Sequence, residues 1–195
     1  MSYHGGGRIF EPMYSHTSQP CRFERDCEVV MIPAGDNVTI PAGTVGYITQ
    51  SLGGSFTLFV DGNLFRIAGT DADAIGKQPV LPPSLPEDAG ESDVEKLVWD
   101  QLKTCYDPEI PVNIVDLGLI YECDMVESGK DEREVFVKMT LTAPGCGMGD
   151  ILVDDVRSKL EMVPTVKRVV VDLTFDPPWN HSMMSDVARL ETGML

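Results

Sequence analysis

Between Pro79 and Pro86 four of eight residues are proline, and Glu87, Asp88 and Glu91 follow. This stiff, solvated stretch, residues 78–91, divides the 195-residue chain into two parts with different hydrophobic rhythms. Before it, apolar residues alternate in short runs broken by Gly, Pro, Asn and Asp. After it, helical spacing and strand spacing take turns.

Residues 1–20 contain Gly5-Gly6-Gly7 without periodicity and read as a flexible tail. Residues 21–77 read as a small all-β, barrel-like domain. Ile32-Pro33-Ala34-Gly35 recurs as Ile40-Pro41-Ala42-Gly43, each copy ending a strand in a turn. Phe56–Val60 and Leu64–Ile67 flank Asp61-Gly62-Asn63, a strong hairpin signal. In residues 92–195, Ser92 and Glu95 fit a capping box ahead of Val94, Leu97, Val98 and Leu102. Strands are expected over Gly118–Met125, Glu134–Thr142 and Val166–Thr174, a helix through Leu152, Val156, Leu160 and Val163, and a last helix over Asn180–Leu190 stopped by Gly193. The order α-β-β-α-β-α gives an α+β sandwich with a three-stranded sheet.

The formal net charge is −16, of which residues 78–195 carry −13. Such a surface repels phosphate backbones and disfavours nucleic acid, while basic protein partners fit it. No apolar run reaches the ~18 residues of a membrane helix. Five cysteines, Cys21, Cys27, Cys105, Cys123 and Cys146, make an odd set without a CxxC pair. Free thiols in a reducing cytoplasm are the simpler reading.

Thr140-Leu141-Thr142-Ala143-Pro144-Gly145-Cys146-Gly147-Met148-Gly149-Asp150 joins an expected strand to an expected helix. Glycines there allow tight turns, and a helix entrance favours a thiolate at Cys146, the form that binds iron or attacks sulfur. The bland alternative is a cysteine that merely fits a turn. Asp107, Glu109 and Asp116 crowd a rigid loop, where they could orient a thiol, ligate a metal or simply cap turns. His181, in Asp176-Pro177-Pro178-Trp179-Asn180-His181-Ser182, could serve as a base for a cysteine nucleophile or as a cap; Trp179 reads as core.

Three of these segments together resemble one family. Asp107-Pro108-Glu109-Ile110-Pro111 through Asp116-Leu117-Gly118-Leu119-Ile120-Tyr121 is similar to the signature of the metal–sulfur cluster assembly domain (PaaD-like) family. Thr140–Cys146 is similar to its Thr-x-Pro-x-Cys loop, and Val166–Trp179 with Met184-Ser185-Asp186 to its C-terminal part. Gln50–Ser55 and Arg66-Ile67 resemble the β-domain of its SufT-type branch. The resemblance implies an accessory factor of the SUF iron–sulfur system, not an enzyme. It would use Cys146 as a labile iron or sulfur ligand and reactive thiol, with Thr142, Pro144, Gly145 and Gly147 as its supporting loop. Asp107, Glu109, Asp116 and His181 remain candidates around that thiol. A cluster or iron would be transient, with none tightly bound. One cysteine per chain supplies one of about four ligands, so a homodimer, an assembly scaffold or a client apo-protein has to complete the set. The competing reading is a non-chemical adaptor that recruits assembly partners through its acidic surface.

Overall fold

The structure, a computed structural model, describes residues 18–107, 110–143 and 149–194. Six strands form one antiparallel sheet in the N-terminal part: β1 (Gln19–Arg22), β2 (Cys27–Ile32), β3 (Asn37–Ile40), β4 (Val45–Leu52), β5 (Ser55–Val60) and β6 (Asn63–Ile67). Their order is β1-β4-β5-β6-β2-β3. Alternation decides which side is dry: Leu58, Val60, Phe65 and Ile67 point inward to pack with Phe23, Cys27 and Val29, leaving Thr57 and Arg66 on the other face. The β5–β6 hairpin turns at Asp61 and Gly62, both at positive φ (47° and 86°), as a two-residue turn between twisted strands requires. A 3₁₀ helix, Gly69–Ile75, covers this core with Ala74 and Ile75.

The differences from expectation have tertiary causes. β1 begins at Gln19, within the stretch read as tail, because its partner is the distant β4. The 3₁₀ helix has no clear periodic signal. Residues 78–90 hold no helix or strand, yet they are tied down: the Val80 amide donates to the Gly69 carbonyl (2.9 Å), and Leu85 packs on the second core.

The C-terminal part comprises α1 (Glu91–Leu102), β7 (Ile120–Gly129), β8 (Glu132–Met139), α2 (Gly149–Glu161), β9 (Val166–Leu173) and α3 (Asp186–Thr192). The sheet runs β7-β8-β9, antiparallel then parallel. Val135, Val137 and Met139 of β8 meet Val94, Val98 and Leu102 of α1 and Leu152, Val156 and Leu160 of α2 in one core. Helix α1 starts two residues earlier than the Ser92 box implies: Gly90 is the N-cap, and its amide donates to the Asp93 carboxylate (2.8 Å). The expected single last helix is split. A 3₁₀ turn, His181–Met183, ends at extended Met184, and Ser185 restarts the chain as the N-cap of α3. Gly193 closes α3 at φ +70°. No helix among the described residues is long and apolar enough to cross a membrane.

Candidate functional site

Asp107 leaves α1 by way of a short turn and is only 4% exposed. Its Oδ1 accepts the Ile110 amide (2.8 Å), and its Oδ2 accepts the Thr142 hydroxyl at 3.4 Å. The carboxylate therefore ties the first residue of the first motif to the second motif. Thr140, two residues earlier, is fully buried, and its hydroxyl has no partner among the described residues. Such an atom costs free energy unless something meets it.

Asp116 is held elsewhere. Its Oδ2 accepts the Asn113 amide nitrogen (2.6 Å) and its Oδ1 the Ser185 hydroxyl (2.9 Å), while its carbonyl accepts the Ser185 amide (2.8 Å). Asn113 Oδ1 in turn accepts the Val115 and Asp116 amides. The Leu117 carbonyl accepts the Trp179 indole N–H (2.7 Å), and Tyr121 donates its hydroxyl to the Pro177 carbonyl (2.7 Å). Gly118 sits at φ +72°, where a Cβ would lie 2.2 Å from the Met183 carbonyl oxygen. Only glycine allows that approach. From Asp116 to Tyr121 the first motif is thus bolted to the third. His181 is exposed, its ring 5.0 Å from that of half-buried Trp179.

The structure brings Asp107 and Thr142 together and sets Asp116 in a separate network with Asn113 and Ser185. Glu109, Pro144, Gly145, Cys146 and Gly147 lie outside the described residues. Sequence reading placed Asn113 and Ser185 within matched motifs but gave neither a role, although Ser185 three residues before Ala188 is an N-cap signal.

The other four cysteines are free. Burial pushes the thiol pKa up at all four: Cys21, Cys27, Cys105 and Cys123, the last to about 11, with Asp124 and Glu95 adding to the shift. At Cys105 the Asp155 carboxylate adds to the effect of burial. Burial thus disfavours the thiolate form at these four. No group of three metal-ligating side chains occurs among the described residues.

A cleft of about 350 Å³ opens between the two parts of the chain. Asp107, Tyr106, Ile151 and Leu152 line it from one side, Gln50 and Arg66 from the other. Ile151 and Leu152 belong to the first turn of α2, and Cys146 precedes the first residue of that helix by three positions.

A family model described as "Iron-sulfur cluster assembly protein" matches residues 95–173. A "Fe-S protein maturation auxiliary factor" of Porphyromonas gingivalis is 52% identical over 101 residues, 52% of this chain and 92% of that protein. The "Fe-S protein maturation auxiliary factor YitW" of Bacillus subtilis is 36% identical over 104 residues, 53% of this chain and 98% of that protein. The "Fe-S protein maturation auxiliary factor SufT" of Staphylococcus aureus is 38% identical over 88 residues, 45% of this chain and 96% of that protein. By these matches, which span the relatives almost whole, the chain belongs to the iron–sulfur cluster assembly protein family.

Proposed function

We propose that this chain is a non-catalytic maturation factor that passes iron or an iron–sulfur unit to client apo-proteins, with Cys146 as the transient ligand. The observation that carries the reading is the state of the other thiols. Burial disfavours the thiolate at four of the five cysteines. Cys146, in a glycine-rich segment ahead of α2, is the thiol left to form a thiolate near neutral pH. The names of the relatives support the same role.

Iron or a cluster is cargo here, not a resident cofactor. Transfer is ligand exchange: a client thiol gives up its proton and replaces Cys146 on iron, the released Cys146 thiolate takes up a proton, and no electron changes hands. A [2Fe–2S] unit takes about four protein ligands and one chain offers one, so a second copy, an assembly scaffold or the client supplies the rest. The same reading makes the protein cytoplasmic, working with the SUF machinery as a homodimer or a docked monomer. Asp107 and Thr142 then brace the entry to the Cys146 segment, with Pro144, Gly145 and Gly147 shaping it, while Glu109 and His181 are tested as neighbours by substitution.

The test is client-enzyme cluster occupancy in cells carrying Cys146→Ser, beside anaerobic iron and sulfide loading of the purified chain. Occupancy should fall and loading should drop. Normal occupancy in that strain would remove Cys146 from the model. If the purified variant still binds the same partners, the acidic adaptor reading takes its place.

A further inference from the structure

Gln50–Ser55 and Arg66 belong to no part of the assembly signature, which begins beyond residue 94. The fold gathers them at the seam between the two parts of the chain. Cross-strand pairing aligns Gln50, Thr57 and Arg66 in one row over β4, β5 and β6. Thr57 and Arg66 face away from the Leu58 and Ile67 core.

Arg66 Nη2 donates to Ser55 Oγ (3.0 Å) and pairs with Asp155 Oδ1 of α2. Asp155 Oδ2 pairs with Lys159 Nζ (3.2 Å), which also donates to the Gly53 carbonyl (3.1 Å) and the Thr104 carbonyl (2.6 Å). Asp155 and Lys159 are each 8% exposed. The network thus joins Gly53, Ser55 and Arg66 to Thr104, Asp155 and Lys159 in a water-poor seam. A buried network of this kind adds little net stability, but it penalises any arrangement that breaks it, because a charge is then left unpaired. Its effect is on geometry. Arg66 also lines both interdomain cavities, about 350 Å³ and 320 Å³, and the first is the cleft that holds Asp107. The matched relatives, almost fully spanned by 88–104 residues, are too short to carry both parts.

We infer that Arg66 is a positioning residue: through Asp155 and Lys159 it fixes the six-stranded domain on α2 and so sets the opening of the Asp107 cleft. The N-terminal domain is a built-in wall of the site. It holds still the helix that follows the Cys146 segment. The seam geometry carries this inference without the transfer reading; only the last readout below rests on that reading.

The test uses the full chain as wild type, Arg66→Met, Arg66→Lys and the double variant Arg66→Met/Asp155→Leu. The double variant removes the Arg66 and Asp155 charges, leaves Lys159 on the Gly53 and Thr104 carbonyls, and covers the case in which Arg66→Met alone fails to fold. Amide exchange of Gly149–Glu161 should quicken at least tenfold in Arg66→Met and in the double variant, return towards wild type in Arg66→Lys, and stay unchanged for the core amides of β8. Exchange of α2 within twofold of wild type in both methionine variants would overturn the inference. In vitro loading of a client apo-protein should fall several-fold with α2 protection and recover in Arg66→Lys; undiminished loading with a loosened α2 would also overturn it. If the wild type itself loads no client, the transfer reading fails alone and the exchange result still decides the seam.

Discussion

Gly53→Ala probes the seam at its tightest point. Gly53 has φ +56°, and a Cβ there would lie 1.7 Å from the Thr104 carbonyl oxygen and 2.8 Å from its carbon. Two costs follow. The left-handed backbone costs a non-glycine residue about 1–2 kcal/mol. Overpacking against backbone that cannot swing aside costs about 1–3 kcal/mol more. The carbonyl that must move also accepts the 2.6 Å bond from Lys159, so relief of the clash disturbs the ion network. Gly62→Ala is the matched control, since Gly62 has φ +86° and open space around it. It carries the backbone cost alone. The difference between the two variants is therefore about 1–3 kcal/mol, which at a urea slope of about 2 kcal/mol/M separates their midpoints by about 0.5–1.5 M. Both tryptophans, Trp99 and Trp179, lie in the C-terminal part, so fluorescence follows that part while far-UV dichroism follows the whole chain. Gly53→Ala should lower the fluorescence midpoint as well as the dichroism midpoint. Equal dichroism midpoints for the two variants, with an unmoved tryptophan transition in Gly53→Ala, would refute the reasoning.

Thr140→Val should raise stability by about 1 kcal/mol in urea titration, because it replaces a buried hydroxyl that no described residue meets; a loss of that size would show that the hydroxyl is used. Ser185→Ala removes the N-cap of α3 and the 2.9 Å bond to Asp116 together, and should cost about 2–3 kcal/mol. A cost below about 0.5 kcal/mol would mean that Asp116 does not anchor the C-terminal helix. The Cys123 thiol, pushed up to about 11, is neutral in the fold where an unfolded thiol already ionises near about 8.5. Its contribution to stability is therefore complete below the unfolded value and is lost as pH rises through the folded one. The urea midpoint should fall between pH ~9 and ~11, and less steeply in Cys123→Ala. Identical slopes in wild type and variant would contradict the assigned burial.

Periodicity revealed β8, where Val135, Val137 and Met139 alternate with outward residues, and the α2 stripe of Leu152, Val156 and Leu160, because one neighbouring core fixes both patterns. It failed where the partner is distant or polar. The far end of β7 is exposed over Val126–Gly129 and is carried by backbone pairing, with Glu127 opposite Arg133, so no apolar rhythm marks it. The break at Met184–Ser185 arises from bonds to Asp116, 69 residues away. At the site, a loop rich in carboxylates could be read as a cluster around a thiol. The structure separates its members: Asp107 meets Thr142, and Asp116 is committed to Asn113 and Ser185. No spacing rule distinguishes those fates, because each is decided by which strand end the backbone delivers beside it. The seam was illegible for a related reason. Arg66 in an alternating strand looks like any outward charge until α2 arrives to bury its partner.

This separation has a consequence for how the chain works. From Asp116 to Tyr121 the first motif is occupied with holding the third: Asp116 to Ser185, Leu117 to Trp179, Gly118 under Met183, and Tyr121 to Pro177. Those contacts commit the Asp116 carboxylate, the Tyr121 hydroxyl, backbone carbonyls and a glycine to fixing one strand end against another. Among the described residues, what is left beside those contacts is the Asp107–Thr142 pair and the cleft next to it. A labile ligand needs that economy, since a site with many ligands would retain its metal instead of releasing it. On the proposed transfer reading, the hydrogen bonds of the described residues serve rigidity beside the site, and the remaining coordination positions fall to whichever protein receives the iron.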